Sequence, residues 1–107
     1  MTEATTDPMA AADLVIANEK MFRDDFGPWL IDNWGIWLAF NRRADRLWNA
    51  GVRHAGARMI GETIRYLTNL REKSSRFKVN DHWWPDLARL YMLAHPGRPL
   101  FELRGRT

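Results

Sequence analysis

Cysteine is absent from the 107-residue sequence, which excludes disulfides, thiolate metal sites and cysteine nucleophiles and leaves a reducing compartment open. No run approaches the roughly 20 apolar residues needed to span a bilayer, so membrane insertion is not expected. Residues 1–12 carry Glu3 and Asp7 where an export signal has a basic stretch followed by a long apolar one. Cytoplasmic residence is the expectation. Histidine is scarce, with only His54, His82 and His95, and no two have the i, i+4 spacing of helical metal ligands. Asp81 precedes His82, but adjacent side chains rarely face the same way, and no nucleophile accompanies them. The glycines, at 27, 35, 51, 56, 61, 97 and 105, form neither a phosphate loop nor a dinucleotide fingerprint. With the acids scattered as well, the sequence predicts a protein without catalysis, metal or cofactor.

What the chain does have is apolar content of 46%, including six tryptophans, far from the polar, highly charged composition of disordered chains. Its length suits one domain with one core. The net charge of +3 conceals an uneven distribution: residues 1–32 sum to −5, residues 33–80 to +7, and the remainder to +1. A basic body therefore follows an acidic N-terminal arm, and that polarity bears on charged partners rather than on fold.

The pattern of breakers and apolar spacing predicts a mainly α fold of four helices. Asp7 and Pro8 mark the start of a first helix over residues 8–23, whose partial apolar stripe of Leu14, Val15, Met21 and Phe22 predicts loose docking. Residues 24–28 read as a turn, because Pro28 follows Gly27. Asp32 and Asn33 are suited to cap a second helix over residues 34–50, stopped by Gly51. On it Trp37, Phe40, Ala44, Leu47 and Trp48 share one face, and Asn41, Arg42, Asp45, Arg46 and Asn49 lie mostly opposite. A third helix is expected over residues 57–70, with Ile60, Ile64 and Leu67 inward and Arg65 and Asn69 outward. A fourth begins near Trp84 or Pro85, buries Leu87, Leu90, Tyr91 and Ala94, and ends by Pro96 and Gly97. Phe77 and Val79 alternate as Phe101 and Leu103 do, so residues 77–79 and 101–103 can pair as a short two-stranded ribbon. The division expected is an acidic arm or helix over residues 1–32 and one helical domain over residues 33–107.

Arginine and tryptophan carry the functional signal. Arg53, Arg58, Arg65, Arg71, Lys73, Arg76 and Lys78 crowd the third helix and its flanks, where they either contact phosphates or simply solvate a face and pair with Asp45, Glu62 and Glu72. Arg53, Arg58, Arg65 and Lys78, with Arg89 on the fourth helix, are the candidate nucleic-acid contacts. Trp37 and Trp48 read as core. Trp83 and Trp84 are adjacent at a helix entrance, where both pointing inward is not expected, so one of them is a candidate stacking or interface residue. Each histidine reads as structural or superficial.

Several segments together resemble a family of small proteins encoded in phages and prophages, mostly without an assigned function. These are the helix ending in Gly51, then His54-Ala55-Gly56-Ala57-Arg58-Met59-Ile60, residues 62–65, Phe77-Lys78-Val79-Asn80, Pro85 with Ala88-Arg89-Leu90, Pro96, and Phe101-Glu102-Leu103-Arg104. The resemblance covers residues 33–104, omits the acidic arm, and implies a phage or prophage setting without a mechanism. Ala55 and Gly56 stand where such relatives often carry an aromatic residue and a serine, so the third helix should start less firmly by a few tenths of a kcal/mol. The third and fourth helices are similar in outline to a helix-turn-helix, although about a dozen residues separate them instead of three or four.

The sequence thus predicts a small accessory protein that binds nucleic acid through a basic helical face. The alternative is a module that binds and inhibits a host or phage protein. Self-association through the second helix is a third possibility.

Overall fold

The computed structural model describes residues 7–71 and 83–101, excluding the side chains of residues 67–71. The first helix, α1 (Pro8–Ala17), starts as expected: the Asp7 carboxylate accepts from the Met9 amide at 3.0 Å and Pro8 occupies the first turn, where its missing N–H has no intrahelical use. It stops six residues earlier than the sequence predicts. The Asn18 side-chain amide donates to Leu14 O at 2.9 Å, doubling the bond that its backbone amide makes to the same carbonyl at 3.1 Å and so holding the helix end. A single 3-10 turn follows over Glu19–Met21, and Phe22 then turns extended. The break delivers Phe22 into the core, stacked on Phe26 with ring centroids 5.1 Å apart.

Residues 24–28 do not form only a turn, for a further helix, α2 (Phe26–Asp32), begins there. Gly27 and Pro28 are its second and third residues, and amides in that first turn have no intrahelical acceptor. A proline is therefore tolerated. The side-chain amide of Asn33 donates to Trp29 O at 2.9 Å, so this side chain closes α2 and makes no capping bond to the next helix. The described residues thus hold five α-helices where four were expected.

α3 (Trp34–Asn49) matches its predicted span and stripe: Ile36, Trp37, Phe40 and Ala44 are buried, and Leu47 and Trp48 are half-buried. Its end is a Schellman turn in which the Gly51 amide bonds Trp48 O and the Val52 amide bonds Leu47 O, both at 3.0 Å. Gly51 has φ of +96°, a backbone state that glycine reaches without steric penalty. α4 (Ala57–Arg71) turns Ile60 and Ile64 inward; the side chains of Leu67 and Asn69 lie outside the described set.

α5 (Trp83–Ala94) is the central element. It packs against α1, α3 and α4, and Leu87, Ala88, Leu90 and Tyr91 are fully buried. Phe101 does not meet a ribbon partner among the described residues, and residues 77–79 and 103 lie outside them. Instead Phe101 forms an isolated parallel bridge to Ala55, whose amide donates to Leu100 O at 2.9 Å. The N-terminal segment joins this same core: α1 packs on α2 and α5, and Ala11, Val15, Phe22, Phe26 and Leu30 are all buried in it. No helix of the described residues is long and apolar enough to cross a membrane.

Candidate nucleic-acid interface

The two tryptophans expected to supply a contact are both internal. Trp83 and Trp84 are 6% and 1% exposed, because a helix surrounded by three others buries most of its circumference. Adjacent residues 100° apart simply reach different neighbours. Trp83 stacks on Trp29 of α2 at 4.7 Å, and Trp84 lies against Gly61 of α4 and stacks on Phe40 of α3 at 6.4 Å. Neither can serve as a stacking or wedge residue on a ligand.

Arg89 is likewise withdrawn from solvent. Its guanidinium Nη1 lies 3.2 Å from Asp86 Oδ1 in the interior, and Arg23 Nε stands 3.9 Å from Asp86 Oδ2. Burying a guanidinium requires a paired, hydrogen-bonded anion, and the i, i+3 spacing on α5 supplies it. The expected phosphate contact is thereby excluded.

Arg53 is exposed, but its guanidinium already has a structural task. Nη1 donates to Trp48 O at 2.9 Å and to Val52 O at 3.1 Å, and the group lies 3.8 Å above the Trp48 ring. It thus caps the C-terminus of α3, where carbonyls and helix dipole favour a cation. Arg58 and Arg65 flank Glu62, at 3.8 Å and 3.3 Å. Lys78 lies outside the described residues.

Helical spacing explains why these groups do not converge with the arginines of α3. At 100° per residue, Arg58 and Arg65 fall on the flank of α4 nearest Gly61 and α5, whereas Met59 and Thr63 fall on the flank facing α3. There a groove of about 150 Å³ runs between the two helices, lined by Arg43, Arg46 and Leu47 on α3 and Met59, Ile60 and Thr63 on α4. Arg42 stands beside it on the outer strip of α3 and is exposed. None of Arg42, Arg43 and Arg46 forms an ion pair with a described residue.

Asp45, the one acid within this stretch of α3, is turned to the opposite flank. Its carboxylate accepts from the Tyr91 hydroxyl at 2.8 Å and from Arg98 Nη1 at 2.9 Å. Nearby, His95 Nε2 and Asn41 Oδ1 are 2.7 Å apart. Burial pushes the Tyr91 hydroxyl up to about 12, so it remains a donor, and burial also pushes His95 below its ordinary value against the pull of Asp45. The cluster ties α3 to α5 and to the turn after it, and it holds Asp45 away from the groove. That separation leaves the Arg42, Arg43 and Arg46 side net positive. The sequence placed Arg42 and Arg46 on a wet face without singling them out; the available signal was three arginines in five residues with one intervening acid.

The apolar stripe of α3 is turned into the chain's own core, so it does not offer a surface for self-association. Among the described residues no group of three His, Cys, Asp or Glu side chains is placed to hold a metal ion. Compared with protein-family models, with curated proteins and with solved structures, the chain matches none.

Proposed function

We propose that this chain is a small accessory protein without catalytic activity that binds nucleic acid along the α3 side of the α3–α4 groove. The observation that carries the reading is the set Arg42, Arg43 and Arg46, three guanidinium groups within five residues with no ionic partner among the described residues. Guanidinium forks match phosphate oxygens in geometry and charge, and a cluster of them raises the local concentration of a polyanion. Arg58 serves as an outlying contact, since its side chain is exposed on the neighbouring flank of α4, 3.8 Å from Glu62. A phage or prophage origin and a cytoplasmic setting belong to the same proposal and rest on the sequence pattern.

The test is a mobility-shift or anisotropy titration at rising salt. The native chain should bind at low salt and weaken steeply, and Arg43→Gln with Arg46→Gln should lower both affinity and the salt slope, by roughly 0.7–0.9 for each phosphate that is no longer neutralised. Absence of binding at low salt overturns the proposal.

A protein partner is the second reading, favoured by a groove of about 590 Å³ between α1 and α2. Val15, Ile16, Phe22 and Pro28 border it, and Ile16 is 68% exposed. A stoichiometric partner that survives nuclease treatment and no longer binds Ile16→Asp would favour this reading.

A further inference from the structure

Resting on the nucleic-acid reading above, we infer that the ligand is a single strand, with a base held against Tyr66 and the apolar floor of the α3–α4 groove while Arg43 and Arg46 take its phosphates. Three features of the groove separate this ligand from a duplex.

The floor is apolar. Leu47, Met59 and Ile60 line it between the two arginines and Thr63, and Met59 remains 54% exposed. A duplex presents phosphates and sugars to such a surface and keeps the faces of its bases stacked inside. A single strand can turn a base face outward, and apolar or aromatic surface is then buried with it.

Tyr66 supplies the aromatic. It lies one helical turn beyond Thr63 and two beyond Met59, on the same strip of α4, and it is 64% exposed. A large aromatic side chain left this open, on a chain whose other described phenylalanine, tyrosine and tryptophan rings are buried or half-buried, is suited to an occupant with a flat face. Base stacking is tolerant of sequence because every base has a π-face.

α3 cannot act as a reading helix for duplex DNA. Insertion into a major groove requires a helix that protrudes, and α3 is flanked by α4 on one side and by α5 on the other. Only a narrow strip, carrying Gly35, Arg42, Arg46 and Asn49, faces outward. The groove of about 150 Å³ has room for one planar group, not for a helix.

The experiment uses the full chain and two labelled probes, a mixed-sequence single strand of about 12 nucleotides, within the usual site size of single-strand binders, and the corresponding duplex, read by fluorescence anisotropy at equal low salt. The single strand should bind at least about tenfold more tightly. Tyr66→Ala should weaken single-strand binding by roughly five- to a hundredfold with an unchanged salt slope, and Tyr66→Phe should restore it. Because Tyr66 is exposed, a thermal melt of each variant should match the native chain. Equal or tighter duplex binding, or single-strand binding indifferent to Tyr66→Ala, overturns the inference while leaving nucleic-acid binding in place. Binding of neither probe overturns the inference together with the function it rests on.

Discussion

Gly61 of α4 lies so close to the Trp84 indole of α5 that a Cβ at residue 61 would overlap the ring. The glycine is what lets the two helices approach with a fully buried tryptophan between them. Gly61→Ala should therefore destabilise the protein by about 1–3 kcal/mol, even though alanine is the better helix former by about 1 kcal/mol. Thermal or urea unfolding measures it. Stability unchanged or increased would show that α4 and α5 can separate at no cost.

The buried Asp86–Arg89 pair is expected to behave as a unit. Arg89→Leu removes the cation that stands 3.2 Å from the Asp86 carboxylate in the core and should lower stability by about 3–5 kcal/mol. Asp86→Leu in the same chain should recover much of that stability, because a buried ion pair replaced on both sides by apolar groups is often close to neutral. A double-mutant cycle in denaturant reads the coupling. Additive effects would mean that the two groups are independent.

Arg53 and Arg43 should separate cleanly in their effects. Arg53→Ala removes a bond to Trp48 O at the end of α3, a bond to Val52 O just after it and the packing on Trp48, so unfolding should shift by about 1 kcal/mol while nucleic-acid affinity changes little. Arg43→Ala should do the reverse, weakening binding with stability nearly intact. Melting curves and binding titrations on the same two proteins give the comparison, and binding abolished by Arg53→Ala alone would move the interface to the other end of α3.

His95 makes stability pH-dependent below neutrality. Its folded pKa lies under the roughly 6.5 of a free imidazole, chiefly because it is buried. The unfolded chain therefore takes up the proton first, and stability falls as pH drops from about 6.5 toward the folded value. In a series of melts spanning neutrality down to about pH 5, His95→Gln should flatten part of that decline. An identical profile in the variant would assign the decline to other groups.

Much of the helical framework was legible from spacing. The stripe Trp37, Phe40 and Ala44, the stop at Gly51 and the inward set Leu87, Leu90, Tyr91 and Ala94 all follow from 3.6-residue periodicity and from the needs of helix ends. Asn18, Asn33 and Pro28 were less legible for a common reason. Each residue type is read from the sequence as a start or break signal, yet the asparagines close the helices before them and the proline sits in the one turn that tolerates it. Which carbonyl an asparagine reaches depends on where the chain turns next, and here that turn is made to bury Phe22 and to begin α3.

The candidate site was harder to read, because charge in a sequence does not reveal its partners. Arg58, Arg65 and Arg89 are near acids at helical spacing, but only packing decides that Arg89 is buried with its acid and Arg58 remains outside. Asp45 lies between Arg43 and Arg46 in sequence and would neutralise them on a flat surface; the packing of α5 draws it to Tyr91 and Arg98 instead.

By itself the sequence determined a small, cysteine-free, mainly helical chain with a positive middle, since composition and periodicity act locally and survive without knowledge of neighbours. Only the tertiary structure decided that the acidic N-terminal segment shares the core, that Trp83 and Trp84 both lie inside it, and that Arg42, Arg43 and Arg46 are left at the edge of a groove. Those outcomes depend on which helix flank meets which neighbour, and a buried contact between residues distant in the chain has no period from which to read it.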